Sequence, residues 1–246
     1  MRVALISDLH GNEIALDAAL ADVARAGADR VVCLGDVATL GTQPGAVLAR
    51  LRDLGCTCIL GNHDDFLLQP ALIHTYTEAP IIVAAVEWCR AQLSAEDLAF
   101  VGGFVPGLVI ELDGGAVLDL FHGSPRSHME DLLATTPPEA LDEALAGHAV
   151  TPRTVLAGGH THIQMLRQHR GALLVNPGSV GAAFREYVFG GTPTLLPHAE
   201  YAIVESSPRG DVAVHLRRVA LDPRALQEDA AASKNPLGPF LARQYA

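Results

Sequence analysis

The sequence predicts an α/β fold in which two sheets of mixed strands pack face to face between outer helices. Three observations carry this. The first 60 residues alternate short apolar runs with amphipathic stretches, a βαβαβ pattern that implies parallel strands and right-handed crossovers. From residue 108 onward the apolar runs come in pairs joined by glycine-bearing turns, the mark of antiparallel hairpins. No Ser/Pro-rich linker and no repeat separates the two patterns. One layered domain over residues 1–246, with a mostly helical insertion at about 64–105, accommodates both better than two domains.

The elements follow in order. Val3–Ile6 is the first strand. A helix over about Asn12–Ala26 carries Leu16, Leu20 and Val23 on one face, and Gly27 stops it. Val31–Leu34 is the second strand. Pro44 opens a helix with Val47, Leu51 and Leu54 in register, and Gly55 closes it. Cys56–Leu60 is the third strand. Residues 64–79 read as irregular or partly helical. Ile82, Val86, Cys89 and Leu93 then mark a helix, and Ser94 with Asp97 caps a short one. Leu108–Leu112 and Ala116–Phe121 form a hairpin around Asp113-Gly114-Gly115. A helix over about Pro138–Ala146 precedes the strand Thr154–Ala157. Ile163–Gln168 pairs with Ala172–Val175 around Arg170-Gly171, which leaves His169 exposed beside the turn. Tyr201–Glu205 pairs with Val212–Arg218. The loop Phe184–Pro197 is long enough either to move or to flank a site. The tail from about Lys234 has weak periodicity.

Composition excludes some classes. Hydrophobic residues make up 49% of the chain and charged residues 18%, which allows a sizeable core and argues against disorder. A formal net charge of −11 repels polyanions, so no extended nucleic-acid partner is expected. It does not exclude a small anion, because bound cations invert a local field. The N-terminal apolar run is too short for a signal-peptide core, and no stretch approaches the ~18 apolar residues of a membrane span. The expectation is a soluble, cytoplasmic protein with no membrane partner. Cys33, Cys56, Cys58 and Cys89 read as reduced core thiols. Cys56 and Cys58 could be taken for a metal pair, but no second cysteine pair accompanies them.

The chemistry lies directly after the apolar runs. Ile6 leads into Asp8 and His10, Leu34 into Gly35-Asp36, and Leu60 into Gly61-Asn62-His63-Asp64. Phe121 leads into His122-Gly123, and Ala157 into Gly158-Gly159-His160-Thr161-His162. Ligands of open α/β sheets bind outside the carboxyl ends of strands. Taken singly, Asp8 or Asp36 reads equally as a helix cap or turn residue, Asn62 as a turn residue, and His122 as a hydrogen-bonded core histidine. Five such coincidences at strand ends outweigh those readings. Imidazole and carboxylate without thiolate suit borderline divalent cations. Asp8, His10, Asp36, Asn62, His122, His160 and His162 exceed the needs of one ion. They suggest two ions sharing a carboxylate at roughly 3.5–4 Å.

Asp8-x-His10, Gly35-Asp36, Gly61-Asn62-His63-Asp64, His122-Gly123 and Gly159-His160-x-His162 resemble the five motifs of the calcineurin-like metallophosphoesterases. The resemblance spans residues 8 to 162 and implies the helix–sheet–sheet–helix sandwich. It implies one metal on Asp8, His10, Asp36 and His162, and a second on Asp36, Asn62, His122 and His160. Asp36 is then the bridge and His63 the catalytic histidine. Phosphoprotein phosphatases of this superfamily carry a second Asp where this chain has Thr39, and an Arg where it has Leu60. No carboxylate partner for His63 is therefore implied. "SDLHGN", "FHGSP" and "NPGSV" look instead like the small bacterial phosphodiesterase branch. Asn176-Pro177-Gly178-Ser179 either presents backbone N–H groups to a phosphate or forms a structural turn.

The implied activity is hydrolysis of a small phosphate ester, foremost a diester. Two cations lower the pKa of a bound water toward about 7, and so make hydroxide available as the nucleophile. His63 supplies the leaving group's proton. Arg126 and Arg185 are the candidates for gripping phosphoryl oxygens, although each reads more readily as a solvated surface residue. Manganese, iron, zinc and nickel all suit the ligand set. A phosphomonoesterase or nucleotide pyrophosphatase shares this chemistry. A metal-binding scaffold without catalysis is the reading from another class, and a scaffold has no need of His63. Nothing in the sequence sets the oligomeric state.

Overall fold

A computed structural model describes residues 1–246. The chain runs β1 (Arg2–Ile6), α1 (Glu13–Ala26), β2 (Arg30–Cys33), α2 (Pro44–Leu54), β3 (Thr57–Cys58), α3 (Asn62–Leu68), α4 (Ile73–Tyr76), α5 (Pro80–Ala91), α6 (Ala95–Val101) and β4 (Leu108–Glu111). It continues through β5 (Val117–Leu120), α7 (Pro138–Ala144), β6 (Thr154–Ala157), β7 (Met165–His169), β8 (Ala172–Asn176), β9 (His198–Ser206), β10 (Val212–Ala220), α8 (Pro223–Ala232) and α9 (Gly238–Gln244).

These strands build two five-stranded sheets, ordered β10-β9-β1-β2-β3 and β4-β5-β6-β8-β7. Each sheet has three parallel strands: β1, β2 and β3 in the first, β5, β6 and β8 in the second. Antiparallel strands complete each sheet. Side chains alternate across each strand. Val3 and Leu5 of β1 therefore face the second sheet with Val32 and Leu34, against Leu118, Leu120 and Val155. Ala4 and Ile6 face the other way, onto Leu16 of α1 and Val47 and Leu51 of α2. The second sheet turns Leu156, Met165 and Leu174 toward Leu141 and Leu145 at α7. The result is the expected layering of helices, sheet, sheet and helices.

Several boundaries moved. The third strand is only Thr57–Cys58, because beyond it the chain bridges Val105 through Ile59 before turning into α3. β7 starts at Met165 rather than Ile163. Gln164 leaves the ladder and spends its amide on the carbonyls of Pro177 and Arg217. His169 is buried rather than exposed, since its Nε2 lies 2.8 Å from Asp142 Oδ1. All four cysteines are free, three of them buried. The weakly periodic tail ends in α9, after α8, which Asp222 caps and Pro223 opens. No helix is long and apolar enough to cross a membrane.

The tail is tied to the body through Asn235, which is 2% exposed. Its amide donates to Gly41 O at 2.6 Å and Leu40 O at 3.1 Å, and its Oδ1 accepts from Leu237 N at 2.8 Å. Asn235→Ala strands these buried groups without partners. It should destabilise the chain by about 1–3 kcal/mol, read as a lower urea midpoint with an unchanged slope.

Candidate metal centre

The parallel strands bring their carboxyl ends to one rim of the sandwich. Asp8 and His10 follow β1, Asp36 follows β2, Asn62 and His63 open α3 after β3, His122 follows β5, and His160 and His162 follow β6. Asp8, His10, Asp36, Asn62, His63, His122 and His162 are all buried, and His160 nearly so. Asp8, His10 and His162 offer ligand atoms within 4.8 Å of one another, and so do Asp36, His122 and His160. Asp36 Oδ2 lies 3.9 Å from His10 Nε2 and 3.4 Å from His122 Nε2, so it stands between the two groups.

The loops reach this convergence through an uncommon backbone. Asp8, His10, Asp36, His160 and His162 all have positive φ, between 44° and 70°. Non-glycine residues enter that region at a cost and persist there only when their surroundings force it. Two glycines make room. A Cβ on Gly61 would fall 2.1 Å from Asp36 Oδ1, and one on Gly159 would fall 1.9 Å from Ser7 Oγ and 2.6 Å from Asp8 Oδ2. Other side chains brace the loops. Asp64 accepts from Asp36 N at 2.8 Å, Val37 N at 2.9 Å and Gly61 N at 3.0 Å, joining the second loop to the third.

The 176–181 stretch is a brace of the same kind, the structural turn of the two sequence readings. Asn176 donates to Gly159 O at 2.6 Å and to Thr161 Oγ1 at 3.0 Å. Ser179 Oγ and Gly181 N both donate to Asp8 O, at 2.7 and 3.0 Å, and Val180 N donates to Ser7 O at 2.9 Å. The Gly178, Val180 and Gly181 N–H groups are thus spent on the protein itself.

The histidines are oriented by carbonyls. His122 Nδ1 donates to Leu34 O and His162 Nδ1 to Ala182 O, each at 2.7 Å. A carbonyl only accepts, so both Nδ1 atoms carry hydrogen and both Nε2 lone pairs face inward. His10 Nε2 and His162 Nε2 stand 3.0 Å apart, and Asp8 Oδ1 lies 3.4 Å from the latter. Facing lone pairs and a carboxylate want a cation between them. Asp8 Oδ1, His122 Nε2 and both amide atoms of Asn62 are buried without a hydrogen-bond partner. Buried polar atoms left in this way are costly, and metal ions would satisfy the three of them that offer lone pairs, Asp8 Oδ1, His122 Nε2 and Asn62 Oδ1. The donor set therefore fits divalent cations.

Thr39, which stands where the resemblance left His63 without a carboxylate partner, reaches His10 Nδ1 through its Oγ1 at 3.4 Å. His63 Nδ1 is buried without a partner. Its ring is held by edge contacts with His10, Phe66 and Tyr76, at centroid distances of 5.1, 5.0 and 5.5 Å. Aromatic packing replaces the carboxylate. Burial, reinforced by the charges of His162, His160 and His122, holds His63 down to about 4 against the pull of Asp36.

Over the rim opens a cleft of about 1080 Å³, lined by His10, His63, His160 and His162 at its floor. The 184–195 loop flanks it. Asp131 spans floor and wall, with Oδ1 3.5 Å from His160 Nε2 and Oδ2 accepting from Tyr187 OH at 2.5 Å. The two candidate arginines are not brought to this cleft. Arg126 Nε donates to Glu130 at 2.9 Å and Arg185 to Glu186 at 3.0 Å, and both arginines are largely exposed. An acidic neighbour one or four residues on captured each. Arg243, from α9, is the cation that does line the cleft. Sequence reading missed it, along with Asp131 and the bracing role of Asp64, because nothing local to them signals partners so distant along the chain.

Several comparisons bear on this arrangement. The model of the calcineurin-like phosphoesterase superfamily domain matches residues 1–195. An uncharacterized protein of Methanocaldococcus jannaschii is 28% identical over 178 residues, covering 72% of this chain and 69% of that protein. A metallophosphoesterase from Sphaerobacter thermophilus is 25% identical with a TM-score of 0.72, covering 99% of this chain and 100% of that one. A hypothetical protein from Pyrococcus horikoshii shares the fold with a TM-score of 0.80 at 19% identity, over 98% of this chain and 96% of that one.

Two predictions follow from the packing and the charges. Gly61→Ala pushes a methyl group into Asp36 and should cut the bound metal, measured by elemental analysis, while far-ultraviolet circular dichroism stays unchanged. The second concerns pH. Burial works against charge on His122, but Asp36 and Asp8 outweigh it and push the imidazole up to about 10. That contribution to metal-free stability is complete below pH 6.5 and is lost as pH rises through 10. Burial and the Asp36 charge raise Asp64 from 3.8 to about 7 against its three N–H donors, so ionising it removes stability between those values. Both effects weaken the metal-free chain as pH rises, while a divalent ion replaces the departing protons. The gain in Tm on adding Mn²⁺ should therefore be larger at pH 8 than at pH 6; a gain independent of pH contradicts this.

Proposed function

Because the chain belongs to the calcineurin-like phosphoesterase superfamily, we propose that it is a dinuclear metal-dependent phosphodiesterase of small molecules. The observation that carries this reading is the pair of three-residue ligand groups with Asp36 between them and His63 beside them. Asp8, His10, Asp36 and His162 would hold one ion. Asp36, Asn62, His122 and His160 would hold the other. When bound, such ions supply an activated water and neutralise charge on the phosphoryl oxygens. Manganese, iron, zinc or nickel would satisfy imidazole, amide and carboxylate ligands.

The chain's own residues do the rest. The carbonyls of Leu34 and Ala182 keep the His122 and His162 lone pairs aimed inward. His63 lines the cleft and is the one imidazole of this cluster left over from the ligand set. Water oxygen bonds to phosphorus, the phosphorus–oxygen bond to the leaving arm breaks, and His63 provides a proton to the departing oxygen. The products are a phosphomonoester and an alcohol. With its imidazole held down to about 4, His63 is neutral near pH 7 in the free chain. The negative charge of a bound ester raises its proton affinity where the proton is needed.

The diester preference rests on the resemblance of the NPGSV, FHGSP and SDLHGN stretches to the small bacterial phosphodiesterase branch. We treat residues 1–246 as one domain, with the helical segment at about 64–105 inserted to form one side of the cleft. Free cysteines support a cytoplasmic setting.

His63→Ala should lower kcat roughly 10²–10⁴-fold at unchanged metal content. The loss should be greater for an alkyl leaving group than for p-nitrophenolate, which departs without a proton. Equal losses on both would remove His63 from the proton-donor role. Inactivity of the metal-loaded wild type on every diester, monoester and polyphosphate would favour a metal-binding scaffold instead.

A further inference from the structure

Aromatic residues make up only 5% of the chain. Six of them nevertheless line the one cleft above the ligand cluster: Tyr76, Phe184, Tyr187, Phe189, Phe240 and Tyr245. They come from three separate places: the end of α4, the 184–195 loop, and the C-terminal stretch formed by α9 and the Tyr245 that caps it. The aromatic walls begin at the reacting centre. Tyr76 stands 5.5 Å from the His63 ring, and Phe184 lies over His162 at 4.3 Å. Phe189 is 89% exposed, a large apolar side chain at the cleft with nothing of this chain covering it.

Charge is as informative as shape. Apart from the histidines of the floor, the ionisable acidic and basic side chains lining the cleft are Asp131, Asp229 and Arg243. One guanidinium faces two carboxylates. The ligand cluster can neutralise one phosphoryl group, but further phosphates would lie against a surface with no net positive charge. Such a surface repels a polyphosphate chain. Flat aromatic faces favour a planar ring over an alkyl chain, since ring pairs gain roughly 0.5–1.5 kcal/mol beyond their buried area.

We propose that the cleft selects phosphodiesters whose retained, non-leaving arm is aromatic and which carry a single phosphate charge, and discriminates against polyphosphates. This rests on the phosphodiesterase reading of the same site and names its substrate class. The arm that stays on phosphorus is released as an aryl-bearing phosphomonoester, and the leaving arm departs as an alcohol.

The test uses the full chain reloaded with Mn²⁺ and three p-nitrophenyl diesters that share a leaving group but carry a methyl, hexyl or phenyl spectator arm. After correction for each ester's reactivity with hydroxide, kcat/KM should be about tenfold higher for phenyl than for methyl or hexyl. Diadenosine tetraphosphate, which has aromatic arms but a chain of charges, should be cleaved at least tenfold less efficiently than the phenyl diester. Phe240→Ala should lower kcat/KM more for the phenyl ester than for the methyl ester, so that the phenyl-to-methyl ratio falls toward one. Equal rates on all three esters overturn the selectivity while leaving the phosphodiesterase reading intact. A hexyl preference, or a preference for the tetraphosphate, also overturns it. Inactivity on every diester at full metal content overturns both.

Discussion

Asp8 and Asp36, two carboxylates buried within one cluster of imidazoles, impose the constraint around which the rest of this molecule is arranged. Burying like charges together is unfavourable unless opposite charge neutralises them. Without metal, those carboxylates raise the proton affinities of His122 and His162, so that these imidazoles take up compensating positive charge more readily. Divalent cations would do it better, because they would also satisfy Asn62 Oδ1 and the facing lone pairs of His10 and His162. The fold brings together groups that repel one another, and a bound cation turns that repulsion into affinity.

Holding such a cluster needs rigid surroundings. The sandwich supplies them, with two sheets sharing a continuous apolar interior and helices sealing their outer faces. Its tightness explains how five loop residues can remain in left-handed conformations that isolated peptides would avoid. The immediate braces are polar. Asp64 stitches the Asp36 loop to the Gly61 loop, and Asn176 and Ser179 stitch the Gly159 and Asp8 loops to the end of β8. The protein thus uses ordinary side-chain-to-backbone bonds to hold the unusual geometry of its functional groups.

Much of the cluster could be read from the chain because each of its members immediately follows an apolar strand, so that local pattern and spatial position coincide. Asp8, Asp36, His122 and His160 are examples, as are the helix stops at Gly27 and Gly55. What escaped notice acts over long separations. Asp131 meets Tyr187 and His160, Asn235 meets Gly41, and Arg243 meets the cleft only after the whole tail has folded back. Local neighbours also decide where the two candidate arginines go. Arg126 and Arg185 sit in suggestive loops, but a glutamate close in sequence binds each of them. His169 beside its turn found Asp142 and became buried.

The placement of α8 and α9 has a further meaning. Leu226, Asp229, Leu237, Phe240 and Tyr245 face the ester-binding side, yet all lie beyond residue 195, where the superfamily match ends. Part of the cleft lining is therefore written in a stretch of the polypeptide separate from the candidate ligand cluster. Substitutions in the final turns can reshape that part of the lining without touching any candidate metal ligand, so one wall of the cleft can vary separately from the cluster at its floor.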